Sequence, residues 1–494
     1  MDDRLPFDSV LVANRGEIAA RILRTVKALG LRALLVAHAV DGRTPGLEIA
    51  DDVRFIDGPS PVAAFLDIDQ IIRAAVEMGA GAIHPGYGFL SENAAFARAV
   101  QAAGIVWVGP SPDAIELMGD KVRARNFVER GGFPVAPSAI EDDDPATFND
   151  RARAVGAPLL IKPSAGGGGK GMRIVRDLAI LDEEIERARS EGQRYFGDGR
   201  LFVERYVERP RHIEVQVLGD AHGSVVHLFE RECSLQRRFQ KIIEEAPSPA
   251  LTAEERETIC EAAAGIARTA GYQGAGTVEF IYGGGEFFFL EMNTRLQVEH
   301  PVTEMITGLD LVAEQLRVAA GLPLPFAQAD IVRNGHAIEA RIYAEDASRD
   351  FAPTTGPVLR LIAPRGEGVR FDGGVVEGGQ VTPSFDPMLA KRIVHGVDRA
   401  AALAGLREAL ERLVVLGVET NTTYLGRLLG DPDVQAARMH TGLIGEKPEL
   451  GVEPPLKTAT RERLVAVAAL SDPSVRRGLE TTPAVQAAMG GWRN

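Results

Sequence analysis

The chain has 494 residues, 55 of them basic and 69 acidic, for a formal net charge of −14. Hydrophobic residues make up 45% and charged residues 25%, which excludes a collagenous or disordered chain, and the acidic excess argues against a nucleic-acid partner. Two cysteines, Cys233 and Cys260, exclude a disulfide framework and fit a reducing cytoplasm.

No apolar run reaches the ~18 residues of a membrane span, so neither membrane nor nucleic acid is expected as a partner. At roughly 150 residues per domain, the length suggests about three units. Residues 1–118 alternate short apolar strands (10–13, 34–37, 82–84, 105–108) with helices (16–29, 71–78, 92–103). That pattern predicts an open parallel βαβ sheet with ligand loops at the strand C-ends. The first turn, Asn14-Arg15-Gly16-Glu17, carries one glycine, so a dinucleotide fingerprint is not met. Residues 119–134 read as a linker and 135–205 as a small unit around a glycine loop. Residues 206–446 read as a mixed α/β region with strands near 213–218, 224–229, 277–282 and 286–292. The acidic patch Glu141 to Asp144 reads as a solvated loop. Residues 447–494 read as a linker followed by a short helical tail.

Three constellations carry chemistry. In the first, Lys162 precedes a loop containing Gly166, Gly167, Gly168, Gly169, Lys170 and Gly171, flanked by apolar segments on both sides. No helix is predicted after it, and Ser164 and Gly171 break the Walker spacing. What remains is a hairpin whose bare N–H groups and Lys170 can close over phosphates. In the second, 277–282 and 286–293, joined by Gly283-Gly284-Gly285, form a hairpin. A turn centred on Gly285 sets Glu279 opposite Glu291, and the second strand, apolar at every position from 287 to 290, is expected to be buried on both faces. Facing buried carboxylates are tolerable with a cation between them. Oxygen ligands, with Asn293 nearby, suit Mg²⁺ or Mn²⁺.

The third follows directly. Arg295 and Gln297 can hold a small oxyanion, Glu299 can act as a base beside it, and a helix is expected from about Pro301. His300 is expected to be structural. The stretch 230–241 is locally basic, for which a solvated charged face is the plain alternative. Cys233 and Cys260 lack ligand spacing, so neither is expected to bind metal or act as a nucleophile.

Together these segments resemble the biotin carboxylase component of biotin-dependent carboxylases, within the ATP-grasp superfamily, nearly collinearly from about 8 to 445. The resemblance rests on Ala13-Asn14-Arg15-Gly16-Glu17-Ile18-Ala19, the run from His84 to Asn93, the glycine loop, and the run from Glu291 to His300. It implies an α/β ATP-grasp fold: a βαβ (Rossmann-like) N-terminal domain, a small mobile lid, and a mixed α/β C-terminal domain. It implies that Lys121, Lys162, the glycine loop, Glu204, His212, Gln236 and Ile281 contact ATP. Glu279, Glu291 and Asn293 would hold the metal ions that bridge its phosphates. Lys241, Arg295, Gln297, the Val298 backbone and Glu299 would hold bicarbonate, Arg341 would stabilise the biotin enolate, and Tyr87 would lie near the biotin ring.

By the same resemblance the chain is a ligase that carboxylates biotin, using ATP and bicarbonate by way of carboxyphosphate. The implied partners are a biotin carboxyl carrier protein or domain, a carboxyltransferase subunit and a second copy of the chain. The tail shows no biotin-attachment motif around Lys447 or Lys457, so biotin is expected on another chain or a downstream domain. Phe239 departs from the polar residue that many relatives carry there. The rivals are another enzyme of the superfamily, a carboxylate–amine ligase or carbamoyl-phosphate-forming protein, and a non-catalytic scaffold subunit.

Overall fold

A computed structural model describes residues 5–163, 172–196, 199–453, 458–471 and 473. The glycine loop, with Gly166, Gly167, Gly168, Gly169, Lys170 and Gly171, lies outside them.

The N-terminal unit is a five-stranded parallel sheet built from β1 (Ser9–Val12), β2 (Arg32–His38), β3 (Asp52–Ile56), β4 (Ala82–His84) and β5 (Val106–Trp107). Their order is β3-β2-β1-β4-β5. Every residue of β1 is buried, as a central strand covered by helices on both faces requires. Helix α1 (Gly16–Ala28) follows, burying Ile18, Ala19, Ile22, Leu23 and Val26 at helical spacing. The strand order reverses between β1 and β4, the position where open α/β sheets place their ligand crevice. Both N-terminal motifs end there, and Asn14 joins them by donating to the carbonyls of Pro85 at 2.7 Å and Tyr87 at 2.8 Å.

Residues 119–134 depart from the expected linker. Lys121–Arg130 is a helix capped by Asp120, and its Ala124 and Val128 enter the core of the central domain. The lid is an antiparallel sheet in the order β6-β9-β7-β8, made of β6 (Ser138–Ile140), β7 (Leu159–Pro163), β8 (Arg173–Val175) and β9 (Leu201–Arg205). β7 and β8 pair antiparallel on either side of the glycine loop, with Leu159 opposite Val175. The lid has its own core, centred on Phe148, Leu159, Ile161, Ile185 and Val203.

The central sheet has eight strands, all paired antiparallel. It contains β10 (Arg211–Gly219), β11 (Val225–Arg237), β12 (Gln240–Ala246), β13 (Gly274–Gly283), β14 (Glu286–Asn293) and β15 (His336–Tyr343), and ends with strands Met388–Gly396 and Val369–Gly373. The hairpin β13–β14 places Glu279 opposite Glu291, although its turn differs from the expected one. Gly283 pairs with Glu286, so the turn is Gly284-Gly285, and a bulge beyond Glu279 shifts the register by one residue. The two offsets cancel. β14 lies at the sheet edge, and Leu290 at the bulge is 46% exposed, so the strand is not buried on both faces.

Residues Glu449–Asn494 form a separate unit, whose described part contains the helix Thr458–Ser471. Before it, Lys447 is no free linker residue, for its ammonium lies 2.5 Å from both Asp431 and Asp433.

Candidate active site

One face of the central sheet forms the floor of a cavity of about 880 Å³, lined among others by Lys121, His212, Gln236, Phe239, Ile281 and Arg341. Alternation along the strands supplies the floor. In β10, Ile213, Val215 and Val217 enter the apolar core, so His212, Glu214 and Gln216 face the other way. The same rule brings Arg231 of β11, Glu279 of β13 and Arg341 of β15 to that side.

At the centre lies Lys241. Its Nζ is 2.5 Å from Glu214, 3.0 Å from Glu279 and 2.6 Å from Glu299. Arg341 holds the second oxygen of Glu299 at 2.9 Å and donates to Glu244 at 2.5 Å. Burial alone would raise the Glu299 pKa; Lys241, Arg341 and Arg231 overcome it and hold the carboxyl well below the ordinary range. Lys241 is depressed by burial and raised further by its three carboxylates, so it stays charged. Beneath them Arg231 is fully buried. It donates to Glu214 at 2.6 Å, Gln216 at 2.7 Å, Thr277 at 3.0 Å and Gln297 at 2.8 Å. The stretch 230–241 is therefore mostly interior, which overturns the solvated-face reading.

The carboxylate pair is asymmetric. Glu279 is buried, with His212 Nε2 at 2.9 Å and the amides of Asn293 and Gln297 donating at 2.9 and 2.7 Å. Glu291 is partly exposed and pairs with Lys121 at 2.8 Å. Two facing carboxylates with an amide oxygen nearby are hard donors that fit Mg²⁺ or Mn²⁺. His212, Glu214 and Glu279 also offer ligand atoms within 4.8 Å of one another. The Cys233 sulfur also lies within 4.8 Å of oxygens of Glu214 and Glu299, but burial pushes its thiol well up, so it remains protonated.

Other expected residues fall as follows. Arg295 lines the cavity and is tied to Glu92 at 2.8 Å and Asn293 at 3.1 Å. Gln236 lies 3.1 Å from His212, and Ile281 is opposite His212 across β10–β13. Lys162 and Glu204 form an ion pair on the lid sheet and are not among the residues lining this cavity. His300 is buried, with its Nδ1 2.7 Å from the Gln297 carbonyl, in keeping with a structural role.

Tyr87 lines a second cavity of about 390 Å³, together with Asn14, Glu17 and Phe385. Arg341, Val298 and Gln240 line both cavities. Glu214, Arg231, Glu244 and Glu92, which pair with the expected residues here, carry no signal of that placement in the sequence.

Phe239 is unusual. It is 96% exposed and lies in a turn where Arg238 and Phe239 have φ of +51° and +67°. The turn is braced: Arg237 sits 3.8 Å over the ring of Phe351, and Arg238 donates to both Asp350 oxygens at 2.8 and 2.7 Å.

Comparison with known proteins fits this geometry. Residues 6–115 match the biotin carboxylase N-terminal domain, 120–327 the ATP-binding domain of the carbamoyl-phosphate synthase L chain, and 339–446 the biotin carboxylase C-terminal domain. The chain is 48% identical over 432 residues to a biotin carboxylase of Haemophilus influenzae, covering 87% of this chain and 96% of that one. The chain belongs to the biotin carboxylase family. The flanking domains set the chain apart from carbamoyl-phosphate synthases, with which the ATP-binding match alone is shared. Among solved structures, the biotin carboxylase subunit of a pyruvate carboxylase superposes with a TM-score of 0.86 at 43% identity, covering 91% of this chain and 100% of that one. The biotin carboxylase domain dimer of Hydrogenobacter thermophilus 2-oxoglutarate carboxylase, in complex with MgADP, ADP and bicarbonate, gives 0.79 at 43% identity over 92% and 100%. The ATP-grasp fold is thereby established for this chain. Among its described residues no helix is long and apolar enough to cross a membrane.

Proposed function

We propose that the two cavities are the successive stations of one reaction, in which bicarbonate is activated by ATP in the larger and carboxylates biotin at its boundary with the smaller. The observation that carries this reading is Glu299, fixed as a carboxylate between Lys241 and Arg341, with Arg341 reaching both cavities.

Glu279, Glu291 and Asn293 would hold the divalent cation, which supplies charge neutralisation on the phosphates. Lys121 and His212 line the same cavity and would receive the nucleotide. Lys162, Glu204 and the glycine loop would belong to the lid that excludes water from a hydrolysable intermediate. Arg295, Gln297, Lys241 and the Val298 backbone would orient bicarbonate. Glu299, ionised, takes the bicarbonate proton as its oxygen attacks the γ-phosphorus and ADP leaves. The carboxyphosphate so formed splits into CO₂ and phosphate, and the phosphate removes the proton from the ureido nitrogen of biotin. The biotin enolate then bonds to CO₂ while Arg341 balances its charge.

Biotin would arrive on a carrier protein or domain, the product would pass to a carboxyltransferase, and the chain would act in the cytoplasm as a homodimer. The test is ATP hydrolysis by the purified chain with bicarbonate and free biotin. Hydrolysis that requires bicarbonate and rises with biotin supports the reading; hydrolysis indifferent to both overturns it.

A further inference from the structure

Between the two cavities lies a cation that lines neither. Lys391, on the strand Met388–Gly396, has no exposed surface. Its Nζ donates to the Val298 carbonyl at 2.7 Å and lies 3.2 Å from Oε1 of Glu17, itself buried. That same Glu17 oxygen accepts the hydroxyl of Tyr87. Across the sheet Lys391 stands opposite Arg341 on one side and Asp372 on the other.

Each contact has a consequence for the site. Val298 belongs to the short turn that delivers Gln297 and Glu299 to the cavity floor, and His300 holds the turn's other carbonyl, that of Gln297. Tyr87 comes from the loop after β4, at the crevice of the parallel sheet. A single ammonium is therefore bonded to the turn on the bicarbonate side and, through Glu17, to the tyrosine on the biotin side. Burying an ammonium costs several kcal/mol before pairing, and an apolar side chain would fill the space without that cost.

We propose that Lys391 is a positioning residue that fixes the Val298–Glu299 peptide and Tyr87 relative to one another, so that the bicarbonate and biotin subsites keep a common geometry. The inference rests on the proposed roles of Val298 and Tyr87. Reacting groups displaced by ~1 Å lose about 10²-fold in rate, which sets the scale of the effect.

The experiment compares Lys391→Met and Glu17→Met with wild type, using the full chain and free biotin as acceptor. For Lys391→Met, KM for bicarbonate and for biotin should each rise at least about fivefold, with KM for MgATP within about twofold. For Glu17→Met, KM for biotin should rise by a similar factor, while KM for bicarbonate stays within about twofold because Lys391 keeps its bond to Val298. A Lys391→Met protein with lowered Tm but wild-type KM values overturns the inference and leaves Lys391 as packing. If Lys391→Met does not fold, Glu17→Met decides, and an unchanged biotin KM there overturns it. A wild-type chain with no bicarbonate-dependent hydrolysis overturns the parent reading, and this inference with it.

Discussion

Glu299 and Arg341 are joined across the cavity floor by a bond of 2.9 Å between two buried side chains. The pair defines what Glu299→Gln should do. Lys241 keeps Glu214 and Glu279, and Arg341 keeps Glu244, so no cation is stranded and the variant should fold. The base is lost, so kcat for bicarbonate-dependent ATP hydrolysis should fall by roughly 10²–10⁴. Because its cations hold Glu299 below the ordinary carboxylate range, the wild-type activity should show no acid limb from this group between pH 5 and 8 (about the span in which an unshifted histidine would produce one). Rates for Glu299→Gln within tenfold of wild type would remove the base from the scheme.

Much of this site could be read from residue types in order, but the reasons for the remainder are physical. The opposition of Glu279 and Glu291 follows from hairpin arithmetic only because the turn offset and the bulge at Leu290 compensate, and a bulge leaves no period-2 signature. Glu214 carries no such signal because His212-Ile213-Glu214-Val215-Gln216 alternates like a strand with one wet face. Only the layers above it, contributed by distant segments such as Arg231 and Gln297, turn that face into an interior floor. The helix Lys121–Arg130 reads as a linker because just two of its residues, Ala124 and Val128, are buried, too narrow an apolar stripe to announce itself. Lys391 and Glu17 are single charges whose partners lie far off in the chain, Val298 at 93 positions from Lys391 and Tyr87 at 70 from Glu17.

Removing Glu291 isolates the metal question. It is partly exposed and its ion pair is with Lys121, an exposed lysine, and such pairs contribute about 0–1 kcal/mol. Glu291→Ala should therefore leave Tm within about 2 °C while raising the Mg²⁺ or Mn²⁺ concentration for half-maximal activity at least about tenfold. An unchanged metal titration at unchanged Tm would refute Glu291 as a ligand. Glu279→Ala should instead abolish turnover, and with a loss of stability, because it strips a buried partner from Lys241 and His212.

Glu244 gives the fold a pH dependence. Burial raises its carboxyl to about 7, against the lowering effect of Arg341. A carboxyl whose folded pKa exceeds its unfolded value of 4.5 binds more protons when folded, so stability falls as pH rises from 4.5 to 7 and is level above. Glu244→Gln removes the titration. The difference in Tm between wild type and Glu244→Gln should shift against wild type over that interval and then stay constant. A difference independent of pH from 4.5 to 8 would show that this carboxyl does not titrate there.

Phe239 separates strain from function. A non-glycine residue in the left-handed region costs about 1–2 kcal/mol, and at 96% exposure the ring recovers almost nothing by burial. Glycine at a φ of +67° relieves that strain while adding about 0.4–1 kcal/mol of unfolded-state entropy. Phe239→Gly should therefore fold with a Tm equal to or above that of wild type. Yet Phe239 lines the larger cavity, in a turn braced by Arg237 on Phe351 and Arg238 on Asp350. Strain held at a cavity wall points to a ligand, here the nucleotide. Phe239→Gly should raise KM for MgATP about fivefold or more and leave kcat within about twofold, the signature of lost uniform binding. A wild-type KM alongside the unchanged or raised Tm would mean that the ring touches no substrate and that the turn's conformation serves only its salt bridge to Asp350.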